Sequence, residues 1–192
     1  DWNALEADYK PLAEMCERTI GVPALAGNRI DLVDDWQHFF KRLLADIEAA
    51  RDRIAGAVYY SPCVESSTLS QLTGAHIWCK LDYLQRTGSF KERGARNALL
   101  RLTDAQRARG VIAASAGNHA QGVAYHGSLL GIPVTVVMPK FAALIKVSNC
   151  RHLGATVVLD GADVGECRAI AEERAARDGL TFIHPFDNVD VI

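Results

Sequence analysis

Between Val111 and Ile183, four short apolar runs alternate with three stretches of helical spacing, and few folds accommodate that order. The runs are Val111-Ile-Ala-Ala114, Val134-Thr-Val-Val-Met138, Thr156-Val-Val-Leu159 and Leu180-Thr-Phe-Ile183. They are rich in β-branched residues and free of charge, so each reads as a strand covered on both faces. Between them, Ala120, Val123 and Ala124, then Ala143, Val147 and Cys150, then Val164, Cys167 and Ala171 recur at helical spacing. Gly154 and Gly179 stand where the second and third helices should stop. The β-α-β-α-β-α-β order predicts an α/β fold, a parallel sheet flanked by helices. Ligands of such sheets bind beyond the carboxyl ends of the strands, and the loop Ser115-Ala-Gly-Asn-His119 leaves that end of the first run.

The upstream half is less regular. Residues 1–45 hold two of the three tryptophans and no catalytic pattern, and they read as an N-terminal extension. Trp36, Phe39, Phe40, Leu43, Leu44 and Ile47 fall on one helical stripe, expected to face a core, with a partner-binding helix as the alternative. The helix continues to a stop at Gly56. Tyr59-Tyr-Ser-Pro62 reads as extended chain, because the residue before proline avoids the α region. Thr68 and Gln71 have capping-box spacing, which predicts a short helix ending at Gly74, and His76–Leu81 reads as a strand.

Bulk properties exclude several functions. The 192 residues are 49% hydrophobic, enough for a substantial core. The net charge is −2 with no dense basic stretch, which argues against nucleic-acid binding and a polybasic membrane patch. No apolar run is long enough to span a bilayer, and no basic-then-apolar stretch at the start of the given sequence, at Asp1, reads as a signal peptide. The five cysteines are odd in number, widely spaced and without C-x-x-C. That pattern speaks against a disulfide framework or a cysteine zinc site and for thiols in a reducing cytoplasm. There is no H-E-x-x-H, so no metal is expected, and neither a P-loop nor G-x-G-x-x-G occurs. His184-Pro185 follows a strand but has no identifiable catalytic partner, so a structural role is expected. Arg93 and Arg96 read as surface or subunit-contact residues, Lys140 and Lys146 as solvated charge.

Two segments carry chemistry. In Thr87-Gly-Ser-Phe-Lys-Glu-Arg-Gly-Ala95, Ser89 and Glu92 have capping-box spacing, which puts Lys91 in the first turn of a helix. The positive end of the macrodipole disfavours an ammonium there, which suits a nucleophilic amine. Free N–H groups of that turn suit an anion, and Phe90 offers an apolar ring to a flat cofactor. In Ser115-Ala-Gly-Asn-His-Ala-Gln-Gly122, a small-residue loop runs into a helix. Gly117 permits close backbone approach to a ligand, the loop amides suit a carboxylate, and Asn118 both donates and accepts. Taken singly, each segment also reads as plain structure: a surface lysine after a tight turn, and an asparagine helix cap.

Together they resemble the fold-type II family of pyridoxal-phosphate (PLP) enzymes, which includes threonine dehydratases, serine dehydratases and racemases, threonine synthases and cysteine synthases. The resemblance rests on Gly88-Ser-Phe-Lys91 with Arg93-Gly-Ala95, on Lys80-Leu-Asp-Tyr-Leu-Gln85, and on the asparagine loop. It extends from about Ile54 to the end, through Val137-Met-Pro-Lys-Phe141, His152–Leu159 and Ile183-His-Pro-Phe-Asp187, where the chain looks like threonine dehydratases. The family usually has Glu where Asp82 stands. The resemblance implies PLP as cofactor, with Lys91 as its Schiff-base lysine, and with Phe90 and Asn118 against the ring. It places Ser115, Gly117 and His119 around the substrate carboxylate.

The implied reaction is deamination of L-threonine to 2-oxobutanoate and ammonia, with serine giving pyruvate. The family's racemases tend to have a serine where Ala116 stands, and alanine transfers no proton, so elimination is favoured. In family terms, 46–103 opens the large domain and 104–192 forms the small one. The phosphate loop and the pyridine-nitrogen partner are not found, so the chain is expected to be a fragment, weakly active or inactive alone. The full-length form is expected to be a homo-oligomer acting on a small amino acid in the cytoplasm, without nucleic-acid or membrane partners. Its expected place is amino-acid metabolism, with isoleucine biosynthesis as the pathway. The alternatives are a serine racemase or dehydratase, and a non-catalytic binding module that retains the fold.

Overall fold

A computed structural model describes residues 32–188, 190 and 191, with side chains from residue 43 onward. By its internal contacts the chain divides after Asp46, and residues from Ile47 on form one compact unit. The first helix among the described residues is α1 (Leu32–Ile54). Trp36, Phe39 and Phe40 of the predicted stripe lie outside the described side chains. Leu44 and Ile47 are exposed rather than core-facing, and Ile47 borders a cleft.

A small antiparallel pair follows, β1 (Cys63–Glu65) with β2 (Trp78–Lys80), in register Val64 opposite Cys79. The short helix between them, α2 (Ser67–Thr73), is capped by Ser66, whose hydroxyl accepts the Leu69 N–H, rather than by Thr68. Serine outranks threonine as a cap, and placing the cap at Ser66 lets Ser70 Oγ accept the Ile77 N–H on the way into β2. Gly74 ends the helix in the left-handed region, as expected.

The predicted alternation forms as read. Strands β3 (Val111–Ala114), β4 (Val134–Met138), β5 (Thr156–Leu159) and β6 (Thr181–Phe182) pair in the order β5-β4-β3-β6, every pairing parallel. Helices α3 (Lys91–Leu100), α4 (Asp104–Arg109), α5 (Asn118–Leu130), α6 (Leu144–His152) and α7 (Val164–Asp178) connect and cover them. The helix α4, unforeseen, rests on a capping box between Thr103 and Gln106.

Strand alternation divides the core in two. Val111 and Ala113 of β3 face a cluster with Ala95 and Leu99 of α3, Val123 of α5 and Cys150 of α6. Ile112 and Ala114 face Cys167 and Ala171 of α7. The sheet is thus covered on both sides, which is why its central strands are almost wholly apolar, with Thr135 of β4 the one polar residue. Ala143 and Val164, expected on buried faces, are exposed because they lie at helix starts, where the chain is still leaving the loop.

Gly94 of α3 lets the segment at Val191 lie against the helix: a Cβ there would stand 2.2 Å from the Val191 carbonyl oxygen. Backbone cannot yield as a flexible side chain can, so Gly94→Ala is expected to cost about 1–3 kcal/mol. Urea-melt midpoints check this, and an unchanged midpoint would contradict the packing described.

Candidate functional site

The lysine segment turns at Gly88, in the left-handed region at φ +74°, and enters α3 at Lys91. The cap position is Phe90, and the expected Ser89–Glu92 capping box does not form. Ser89 Oγ instead accepts the Lys91 N–H at 3.3 Å. Glu92 is fully buried and turns away, accepting the Thr87 N–H and lying with Oε2 3.6 Å from His126 Nε2 of α5, itself fully buried. A buried carboxylate needs a partner more than an exposed turn needs a second cap. Burial pushes the Glu92 carboxyl up, but His126 and the Thr87 N–H outweigh it and leave it below the usual range. Glu92 Oε2, both ring nitrogens of His126 and Thr87 Oγ1 make no hydrogen bond among the described residues, so the two buried side chains face each other with no other polar partner for those atoms. One turn back on α5, a Cβ on Gly122 would stand 3.2 Å from the Lys91 carbonyl oxygen. The two chemistry-bearing helices therefore touch at Lys91 itself.

The Lys91 side chain is partly buried. Its Nζ donates to the Pro185 carbonyl oxygen at 2.6 Å and lies 5.2 Å from the centre of the Phe90 ring. Both line a cleft of about 920 Å³ with Ile47, Ile54, Val58 and Phe186 among its apolar walls. Arg93, expected at the surface, is half-buried and clamps Asp82 with two bonds of 3.0 and 2.9 Å. Asp82 also accepts from Ser61 and Gln85, and the Arg93 guanidinium above all holds its carboxyl well below the ordinary carboxylate range.

The asparagine loop leaves β3 through the Ser115 N–H, which donates to Val137 O at 3.1 Å. Ser115 Oγ accepts the Gly117 N–H at 3.2 Å. Gly117 is the cap of α5, and Asn118, its first residue, makes no cap bond; Asn118 is exposed, with Oδ1 3.5 Å from Lys146 Nζ. His119 turns inward at 3% exposure and its Nε2–H donates to Ile183 O at 3.0 Å. Burial, with smaller contributions from Lys91 and His184, takes its pKa down to about 4 against the Ile183 bond, so the ring is neutral. Its side chain therefore ties α5 to the end of β6, and only its backbone N–H remains to meet a substrate carboxylate. Lys91 and Phe90 reach the cleft; Ser115, Gly117 and Asn118 do not line it.

The Glu92–His126 pair, the Pro185 carbonyl and the Arg93–Asp82 clamp were not foreseen from sequence. A glutamate and a histidine at otherwise apolar helix positions were the available signal.

A family model described as pyridoxal-phosphate dependent enzyme matches residues 54–192. L-threonine ammonia-lyase of Thermotoga maritima is 45% identical over 149 residues, 78% of this chain and 37% of that protein. A catabolic L-threonine dehydratase of Staphylococcus aureus is 45% identical over 146 residues, 76% of this chain and 42% of that one. The chain thus spans about two fifths of the length of these curated relatives. Among solved structures, threonine deaminase isoform 2 of Solanum lycopersicum superposes with TM-score 0.70 at 39% identity, covering 78% of this chain and 41% of that one. Serine racemase of Dictyostelium discoideum gives 0.71 at 34% identity, covering 77% and 48%.

Two outcomes follow from the buried groups. Removing one member of the Glu92–His126 pair strands the other, so Glu92→Leu and His126→Leu are each expected to cost about 3–5 kcal/mol, while the double variant recovers most of it. Denaturant midpoints of all three decide, and additive losses would rule out the pairing. His119 remains neutral to about 4 in the fold, below its ordinary 6.5. The unfolded chain therefore binds a proton that the folded one refuses, and stability declines by up to about 3 kcal/mol as pH falls from 6.5 towards 4. Midpoints across that window for wild type and His119→Gln check the sign; the variant should show the shallower decline.

Proposed function

Because the chain belongs to the pyridoxal-phosphate dependent enzyme family, we propose that the whole protein deaminates L-threonine to 2-oxobutanoate and ammonia, with Lys91 carrying the cofactor. Serine gives pyruvate as a side reaction. The observation that carries the reading is a primary amine at a helix start, facing an apolar cleft at the carboxyl end of β6.

The residues present fit the aldehyde end of PLP: a partly buried amine, a flat aromatic wall in Phe90 and a cleft of about 920 Å³. When bound, PLP supplies the electron sink that makes the amino acid's Cα proton removable. Lys91 Nζ holds the cofactor and, once free, takes the proton from Cα. Phe90 flanks the ring, and Asn118, exposed at the head of α5 and outside the cleft lining, would turn inward to orient it. The Ser115 hydroxyl and the His119 N–H offer donors to the substrate carboxylate at the head of α5, Gly117 permits its close approach, and the helix end favours an anion. With Ala116 in the loop, no hydroxyl at that position returns a proton to Cα from the opposite face. The Cα electrons would then form the Cα–Cβ double bond as the Cβ–O bond breaks, and the hydroxyl would leave as water with the proton that Lys91 took.

In this reading residues 46–103 open the large domain and 104–192 form the small one, and the whole protein assembles as a homo-oligomer. The described cysteines Cys63, Cys79, Cys150 and Cys167 are free, which supports a reducing cytoplasm. No helix among the described residues is long and apolar enough to cross a membrane. The S. aureus relatives are named as catabolic, which favours a degradative role over isoleucine biosynthesis. The likeness to a serine racemase supports a second reading, for which D-serine formation is the signature.

The full-length protein tests the proposal. L-threonine should yield 2-oxobutanoate, and Lys91→Ala should lower kcat by roughly 10²–10⁴-fold or more. Borohydride with PLP should fix a pyridoxyl group on Lys91. Undiminished turnover in the variant, or the label on another lysine, would overturn it.

A further inference from the structure

Resting on the reading of Lys91 above, we propose that His184 is a positioning residue, fixing the peptide group whose carbonyl holds the Lys91 amine in the cleft. His184 is 6% exposed and stands between Phe182 and Phe186, whose rings meet it edge to face at 5.8 and 4.6 Å. Its Nδ1 accepts two backbone N–H groups, from Phe186 at 3.3 Å and Asp187 at 2.8 Å. A nitrogen that accepts carries no proton, so the ring is the neutral Nε2–H tautomer in this arrangement.

The Phe186 N–H belongs to the same peptide unit as the Pro185 carbonyl, and that carbonyl accepts from Lys91 Nζ at 2.6 Å. The unit is trans and planar. Holding its N–H end therefore aims its oxygen end. Pro185 limits the remaining freedom by fixing its own φ. On the other side, His119 ties Ile183 O to α5, so two buried histidines bracket the turn. The consequence is a fixed waiting place for the amine: one N–H is given to Pro185 O, and the rest of the group faces the cleft. Fixing a reacting group in this way removes an orientational cost at each attack.

The test measures attachment rather than turnover. The full-length protein, freed of cofactor, is mixed with PLP and quenched with borohydride at intervals, and the label at Lys91 is quantified by peptide mass. In attachment the Nζ lone pair forms the C–N bond, the aldehyde oxygen leaves as water with the two amine hydrogens, and borohydride hydride fixes the bond. His184→Leu removes the acceptor and should slow labelling by about 10- to 100-fold. His184→Asn restores an oxygen that accepts the same two N–H groups as an Asx turn, and should return the rate to within about threefold of wild type. His184→Ala carries the same expectation as His184→Leu should the leucine variant not fold, and melting curves identify the folded variants. A folded loss variant labelled at the wild-type rate overturns the inference, as does an asparagine variant as slow as the loss variant. Wild-type protein that takes no label at Lys91 overturns the reading of Lys91 itself.

Discussion

The contact between α3 and α5 is the constraint on which the arrangement of the site depends. The two helices approach closely enough that a Cβ at position 122 would press on the Lys91 backbone, and one turn on, Glu92 meets His126 with no exposure on either side chain. A buried acid–base pair adds little net stability against an apolar alternative, but once present it makes each partner dependent on the other. The pair lies where one turn of α3 faces one turn of α5, one residue along from Lys91.

From that contact the site extends along the sheet. Strands β3 and β6 are neighbours, so the loop leaving one and the turn leaving the other lie side by side at the carboxyl edge. His119 joins them through the Ile183 carbonyl, and its burial keeps it neutral, so it bonds without adding charge beside the amine. Lys91 then completes a bridge from α3 to the turn after β6. Three elements far apart in sequence are tied by a few polar contacts beside a largely apolar cleft. The Arg93–Asp82 clamp attaches the segment before α3 in the same manner.

Much of the fold was legible because its signals are local. The apolar runs, the helical spacing and the glycines at Gly74, Gly154 and Gly179 report conformations that neighbouring residues decide among themselves. Where local signals compete, legibility drops. Thr68 and Ser66 both offered a cap and Ser66 took it; the Ser89–Glu92 spacing was a genuine capping pattern that a stronger demand, the buried carboxylate, overrode. The site was legible in part. Lys91 and Phe90 line the cleft, whereas the His119 ring serves the scaffold and Asn118 faces solvent near Lys146.

The sequence by itself determined the α/β order, the parallel sheet's apolar strands and the helix start that carries the lysine, since periodicity and turn chemistry act over a few residues. Only the tertiary structure decided that Glu92 answers His126, that Asp82 takes Arg93, and that the Pro185 carbonyl receives the amine of Lys91. Those partners meet because helices and strands stack into layers. No run of neighbouring residues encodes a contact that exists only once the layers have closed.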